Sequence, residues 1–101
     1  MSEIETGKKV NLSIVIPCYN EERTLKKCVE KVLEIADDQL AIELIIVDDC
    51  SQDKSLQIAT ELEKLHPKIT VLRHNRNAGK GAALRTGFKV ATGDYIAVQD
   101  A

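Results

Sequence analysis

Apolar residues arrive along this chain in two rhythms. Four short continuous runs, LSIVIP (12–17), IELIIVDD (42–49), ITVLR (69–73) and YIAVQD (95–100), alternate with longer stretches in which apolar positions recur every three or four residues. Continuous runs of strand length suit a parallel sheet covered on both faces, because neither side of such a strand meets water. The stretches between them read as helices. In the first, Leu25, Cys28, Val29, Val32 and Leu33 share a face, with Asn20 placed as N-cap and Glu21 and Glu22 in a first turn whose dipole favours acids. The second, from about Lys54 to Leu65, aligns Leu56, Ala59, Leu62 and Leu65 and stops before His66-Pro67. The third, from about Gly81 to Val90, presents Leu84, Phe88 and Ala91, and Gly93 fits a C-terminal stop.

The alternation β-α-β-α-β-α-β, with crossovers long enough for helices, predicts an α/β fold: a parallel sheet with right-handed connections, half of a doubly wound, Rossmann-like architecture. In the mononucleotide-binding order 3-2-1-4, the first and fourth strands are neighbours whose exit loops diverge. The crevice at their carboxyl ends is then the expected ligand site.

Composition narrows the function classes. A chain of 101 residues is one domain at most, and with Phe88, Tyr19 and Tyr95 as its only aromatic residues its core must be aliphatic. A net charge of −2, with lysines scattered over several segments, lacks the basic field that nucleic-acid binders use. The start, MSEIETGKKVN, has no apolar core of signal-peptide length, so residues 1–11 are expected to be a flexible tail and 12–101 the folded domain, in a cytoplasmic setting without a membrane segment. Cys18, Cys28 and Cys50 follow no zinc or CxxC spacing and are expected to be reduced, with Cys28 in a helix core.

Chemistry-bearing residues gather at the strand exits. The first exit, IPCYNEE, places Pro17, Tyr19, Asn20 and Glu21 where a ring and polar groups can hold a base or a sugar. At the second, Asp48 and Asp49 lie side by side; adjacent carboxylates at a buried strand end repel each other unless a cation, a donor-rich ligand or helix amides face them. The third, RHNRNAGKGAALRTG, carries Lys80 between glycines ahead of a helix start, a phosphate-friendly arrangement that is neither a Walker A loop nor a G-x-G-x-x-G fingerprint. His66 and His74 have no partner at ligand spacing and read as solvated or capping residues. The fourth exit ends in Asp100, a hard oxygen donor of the kind that holds Mg²⁺ together with substrate phosphates.

Taken together and in order, SIVIPCYNEERTL, ELIIVDDCSQD, NRNAGKGAALRTGF and ATGDYIAVQDA resemble the family-2 glycosyltransferases of the GT-A fold, over about Leu12 to Ala101. Within that family GKGAALRTG and QDA look most like the polyprenyl-phosphate sugar transferases. The resemblance implies nucleotide-contacting roles for Pro17, Tyr19 and Glu21, base reading by Asp49 with Asp48 beside it, and a place near the nucleotide for Lys80. It matches Asp100 and Ala101 to the first two positions of the Asp-x-Asp motif that holds Mg²⁺ or Mn²⁺ on the diphosphate, so the sequence is expected to end inside that motif. The implied partners are a nucleotide-diphosphate sugar and an acceptor, with a lipid phosphate the leading type. The implied chemistry is metal-assisted inverting displacement, with the acceptor site and any general base beyond residue 101 and the 101-residue chain inactive by itself.

Three other readings are open to the residues. A receiver-type signalling domain would need its acidic pair after the first strand, where PCYN stands. A sugar nucleotidyltransferase would need a glycine-rich loop there. A non-catalytic nucleotide-binding or interaction module is consistent with every exit. The fourth strand, an apolar edge in this chain, is further expected to invite self-association.

Overall fold

The computed structural model describes residues 9–101. Seven elements alternate as expected: β1 (Val10–Cys18), α1 (Leu25–Leu33), β2 (Leu40–Asp48), α2 (Ser55–Leu65), β3 (Ile69–Arg73), α3 (Lys80–Val90) and β4 (Tyr95–Val98). All strand pairs are parallel and the sheet order is β3-β2-β1-β4. β1 begins at Val10, ahead of the apolar run, because Val10 and Asn11 are carried along by pairing with Leu40 and Ala41. The tail expected over 1–11 otherwise lies outside the described residues.

This order explains the two-layer covering. From β1 through β2 to β3 the chain steps one way, and from β3 it crosses back past β1 to β4; with connections of one hand, the reversal puts the last helix on the opposite face. Accordingly α1 and α2 cover one face, around Ile14, Ile16, Leu44, Ile46, Leu25, Val29 and Leu62, and α3 covers the other, around Val15, Ile45, Val47 and Ala83. The central strands β1 and β2 are therefore sealed on both sides. Each fully buried Ile, Leu or Val there contributes about 1.5–3 kcal/mol relative to exposure.

Four expectations give way to tertiary contacts. Asn20 does not cap α1, which starts at Leu25 with Thr24 as N-cap and no side-chain cap; Asn20 sits at φ 54 and serves the neighbouring loop instead. The core face of α3 is built on Ala83 and Gly87, because these small residues let the helix approach Val15 closely; Leu84 and Ala91 pack at the margin of that core as expected, and Phe88 does not. Leu84 is left half-buried and Phe88 is exposed. On α2 the end of the apolar face fails likewise, since Leu65, the last residue of the helix, is 72% exposed. Gly93 is no left-handed helix stop: a Cβ there would stand 2.7 Å from the Ser13 amide nitrogen and 2.9 Å from the Asn11 carbonyl oxygen, so its role is close approach to β1.

The fourth apolar run also departs from a strand buried on both faces. β4 pairs only with β1, and Tyr95, Ile96 and Val98 are exposed, leaving Ala97 to pack against the α1–α2 core. Among the described residues no helix is long and apolar enough to cross a membrane.

Candidate functional site

The loops leaving the carboxyl ends of β1, β2 and β3 meet at one side of the sheet, and three sets of hydrogen bonds fix their shape. The β1–α1 loop is laced to the β2–α2 loop. The Asn20 amide donates to Ser51 Oγ (2.9 Å), the Gln52 amide donates to Asn20 Oδ1 (2.8 Å), and the Glu21 amide donates to Ser55 Oγ (2.7 Å). Holding Asn20 in the left-handed region costs about 1 kcal/mol, which these paired bonds offset. The consequence is a fixed position for the flanking Tyr19 and Glu21.

Asp48 and Asp49 divide the work of the second exit. Asp48 is buried and turns inward: its Oδ2 accepts the Ser51 amide at 3.0 Å, shaping the loop that receives Asn20, while Oδ1 has no partner among the described residues. Asp49 faces the third exit. Its Oδ1 accepts from His74 Nδ1 (2.7 Å) and the Ala78 amide (2.9 Å), and its Oδ2 accepts from the Gly79 amide (2.8 Å). Burial alone would raise the Asp49 pKa. The hydrogen bonds from His74, Ala78 and Gly79 outweigh it and hold the carboxyl below the ordinary aspartate range. The adjacent carboxyls are thus compatible because hydrogen-bond donors from two amides and an imidazole face one of them.

These bonds shape the loop ahead of α3. Gly79 is the helix N-cap at φ 96, a backbone conformation that side chains resist. With it set, the first turn of α3 opens toward the cleft and carries Lys80 to its rim. There Lys80 Nζ meets Asp100 Oδ1 at 2.7 Å, with both side chains more than half exposed. The backbone behind Asp100 is tied to α1, since Cys28 Sγ lies 3.5 Å from the Asp100 carbonyl oxygen, and the Gln99 side-chain amide donates to the same oxygen.

Between these loops lies an open cleft of ≈ 480 Å³. Pro17, Tyr19, Glu21, Asp49, Lys80 and Asp100, all singled out from the sequence, line it together with Cys18, Asn77, Gly79, Ala83 and Ala101. Asp48 does not reach it. The floor is apolar and unreactive: burial, with Asp48, Glu21 and Asp53 nearby and a Ser55 hydrogen bond opposing them, pushes the Cys18 thiol up to about 11. All three cysteines are free.

The reading of His74 as a solvated or capping residue is corrected. Its ring is largely buried, with Nδ1 on Asp49 and Nε2 2.8 Å from Thr86 Oγ1. The contact follows from register: Asp48 pairs with Arg73 across parallel strands, so Asp49 and His74 leave the sheet side by side. Spacing along the chain carries no such information. Had the register been known, an imidazole one residue past β3 would have been the signal.

As for a metal, among the described residues no three His, Cys, Asp or Glu side chains gather as a ligand set. Asp100 is the one carboxylate at the cleft mouth that is mostly exposed and held only by a flexible lysine. It fits a single oxygen ligand for a hard cation whose other ligands come from phosphates and water.

Comparison with known proteins accords with this geometry. The chain is 36% identical over 98 residues to a dolichyl-phosphate beta-glucosyltransferase of Trichomonas vaginalis, covering 91% of this chain and 30% of that protein. It is 38% identical over 103 residues to an undecaprenyl-phosphate 4-deoxy-4-formamido-L-arabinose transferase of Proteus mirabilis, covering 97% of this chain and 31% of that protein. The structure superposes with a TM-score of 0.79 and 25% identity on a mannosyltransferase of Pyrobaculum calidifontis in complex with GDP-Man and Mn²⁺, covering 91% of this chain and 27% of that one. The chain therefore spans about three-tenths of the length of each. The family model described as glycosyl transferase family 2 matches residues 13–101, nearly the whole described structure, and the chain belongs to that family.

Proposed function

We propose that the chain is the donor-binding part of a glycosyltransferase that moves a sugar from a nucleotide-diphosphate sugar to a polyprenyl-phosphate acceptor. The observation that carries the proposal is the convergence of Tyr19, Asp49, Lys80 and Asp100 on one cleft at the carboxyl ends of β1 and β2. Curated relatives named for dolichyl-phosphate and undecaprenyl-phosphate transfer support the acceptor class.

Each residue has a definite capacity. Tyr19 is partly exposed and offers a ring face for a base or ribose. Asp49 has accepted three donors, and a carboxylate has room for about four, so Oδ2 keeps one free acceptor position for a base N–H. An ionised carboxylate cannot donate, which favours bases that present N–H there, uracil and guanine among them. Lys80 and the first-turn amides of α3 supply positive potential for a diphosphate. Asp100, freed from Lys80, would hold Mg²⁺ or Mn²⁺ against the same phosphates, as the Mn²⁺ complex of the related mannosyltransferase suggests. The ion would supply neutralisation of the charge that develops on the departing nucleoside diphosphate. The chain's own contribution is to orient the donor and screen its apolar side from water through Cys18, Ala83 and Ala101.

Calorimetric titration of the chain with UDP, GDP and ADP, each with and without Mn²⁺, tests the reading. The expected result is selective binding of one diphosphate that Mn²⁺ strengthens. Equal and negligible heats for all three would favour a bare interaction module. Because the chain spans only part of its relatives, we also propose that it binds donor without turning it over. Sugar transfer by the 101 residues at the rate of a full catalytic domain would refute that.

A further inference from the structure

The imidazole of His74 stands outside the cleft lining, yet both of its ring nitrogens are engaged by groups that control the cleft. On one side is Asp49, which also holds the amides of Ala78 and Gly79; on the other is Thr86, on the second turn of α3. We propose that Thr86, His74 and Asp49 form a positioning relay that sets the Ala78–Lys80 segment, and with it Lys80 and the free acceptor of Asp49, in the geometry that receives a nucleoside diphosphate. The functional half of this inference rests on the nucleotide reading above.

Hydrogen-bond chemistry fixes how the relay must be protonated. An ionised carboxylate only accepts, so the His74 Nδ1 at 2.7 Å from Asp49 Oδ1 has to carry a hydrogen. In the neutral ring Nε2 is then an acceptor, and the Thr86 hydroxyl is its donor at 2.8 Å. The relay runs in one direction, from the Thr86 O–H to Nε2 and from the Nδ1–H to Asp49. It demands the Nδ1–H tautomer. It also ties the exits of the paired strands β2 and β3 to the body of α3, which lies outside the sheet.

The geometry assigns His74 more than bulk. An apolar side chain would fill the same space, whereas this ring joins Asp49, which holds the Ala78 and Gly79 amides, to Thr86 of α3. Removing the donor to Asp49 leaves Oδ1 with the Ala78 amide alone and lets the carboxylate rotate about its remaining amide bonds. Lys80 lies one residue beyond the Gly79 amide that follows it.

Two measurements on the whole chain test this. Nitrogen-15 NMR of the His74 ring at about pH 8, above the ordinary imidazole range, reads the tautomer without any ligand. The Nδ1–H form is expected, together with Ala78 and Gly79 amides that exchange more slowly than those of loop residues outside the cluster. An Nε2–H ring would overturn the relay. The second measurement is calorimetry with UDP and GDP in the presence of Mn²⁺ on His74→Phe, His74→Asn and Thr86→Val. His74→Phe keeps a ring but no donor and should lose about tenfold or more in affinity, the effect of one charge-assisted hydrogen bond. His74→Asn, whose amide can still donate to Asp49, should recover most of that loss, and Thr86→Val should lose less than His74→Phe. A folded His74→Phe that binds nucleotide as the unmodified chain does would overturn the positioning role, and so would a His74→Asn no better than His74→Phe. Failure of the unmodified chain to bind any nucleotide refutes the nucleotide reading and with it the functional half of the relay, while the ring NMR still decides the structural half.

Discussion

The two ends of the sheet solve the same problem for different purposes. At the amino end Glu43 collects the Ser13 hydroxyl, the Thr92 amide and the Thr92 hydroxyl, while Ser13 Oγ accepts the Gly93 amide. At the carboxyl end Asp49 collects His74 and the amides of Ala78 and Gly79. Both carboxylates are held below their ordinary pKa although burial pushes each upward, Glu43 by bonds from Ser13 and Thr92 and Asp49 by those from His74, Ala78 and Gly79. Yet Glu43 draws the turn between α3 and β4 onto β1, and Asp49 draws the β3–α3 loop onto the β2 exit along the wall of an apolar-floored cleft. The difference lies in what the chain does next. At the amino end Gly93 permits backbone to press on backbone, whereas at the carboxyl end the β1 exit, the first turn of α3 and the segment after β4 stand around the cleft, with Lys80 and Asp100 meeting at its rim.

Replacing one carboxylate at a time tests that contrast most severely. Asp49→Ala strands two amides and an imidazole, and it should lower stability by about 3 kcal/mol and abolish nucleotide binding. Glu43→Ala should lower stability by about 2 kcal/mol and leave nucleotide affinity unchanged in whatever fraction stays folded. Urea unfolding paired with calorimetry separates the two, and a Glu43→Ala chain that folds but has lost its affinity would erase the distinction between the ends.

Next in size is steric closure at the amino end. Gly93→Ala brings a Cβ against the backbone of Ser13 and Asn11, and the expected loss of about 2 kcal/mol in urea unfolding should again spare the cleft. Acid should weaken both ends together. Asp49, Glu43 and Asp53 all have depressed folded-state values, so each contributes stability above its unfolded pKa and loses it as pH falls through the lower folded value. Stability followed by circular dichroism should therefore be level above about pH 5 and decline below about pH 4. Asp49→Asn should flatten part of that decline.

The smallest effect on stability belongs to the cleft mouth. Lys80 and Asp100 form an exposed pair, so Asp100→Asn should change stability by less than about 0.5 kcal/mol. It should nonetheless remove the Mn²⁺ enhancement of diphosphate binding seen with the unmodified chain. Retained enhancement in calorimetry would mean that the cation finds its oxygen elsewhere.

Much of this was readable along the chain. The apolar runs around Ile14, Ile45, Ile69 and Ile96 all became strands, and Tyr19, Glu21, Asp49, Lys80 and Asp100 all came to one cleft, because parallel β-α-β units bring every strand exit to the same edge. The misreadings share a cause. Asn20 looked like a cap, His74 looked solvated and Phe88 looked buried because local spacing says nothing about which residues of other elements stand opposite.

What the sequence determined by itself was therefore the alternation of elements and the edge on which the polar exits collect. These depend on the period of apolar positions and on the handedness of crossovers, both local or generic properties of the chain. Only the tertiary structure decided that Asp48 turns inward while Asp49 serves the cleft, and that His74 and Thr86 stand behind it. The physical reason is register. The pairing of Asp48 with Arg73 is set by how whole side-chain layers pack, and a hydrogen bond between residues 25 positions apart exists only once that packing has chosen it.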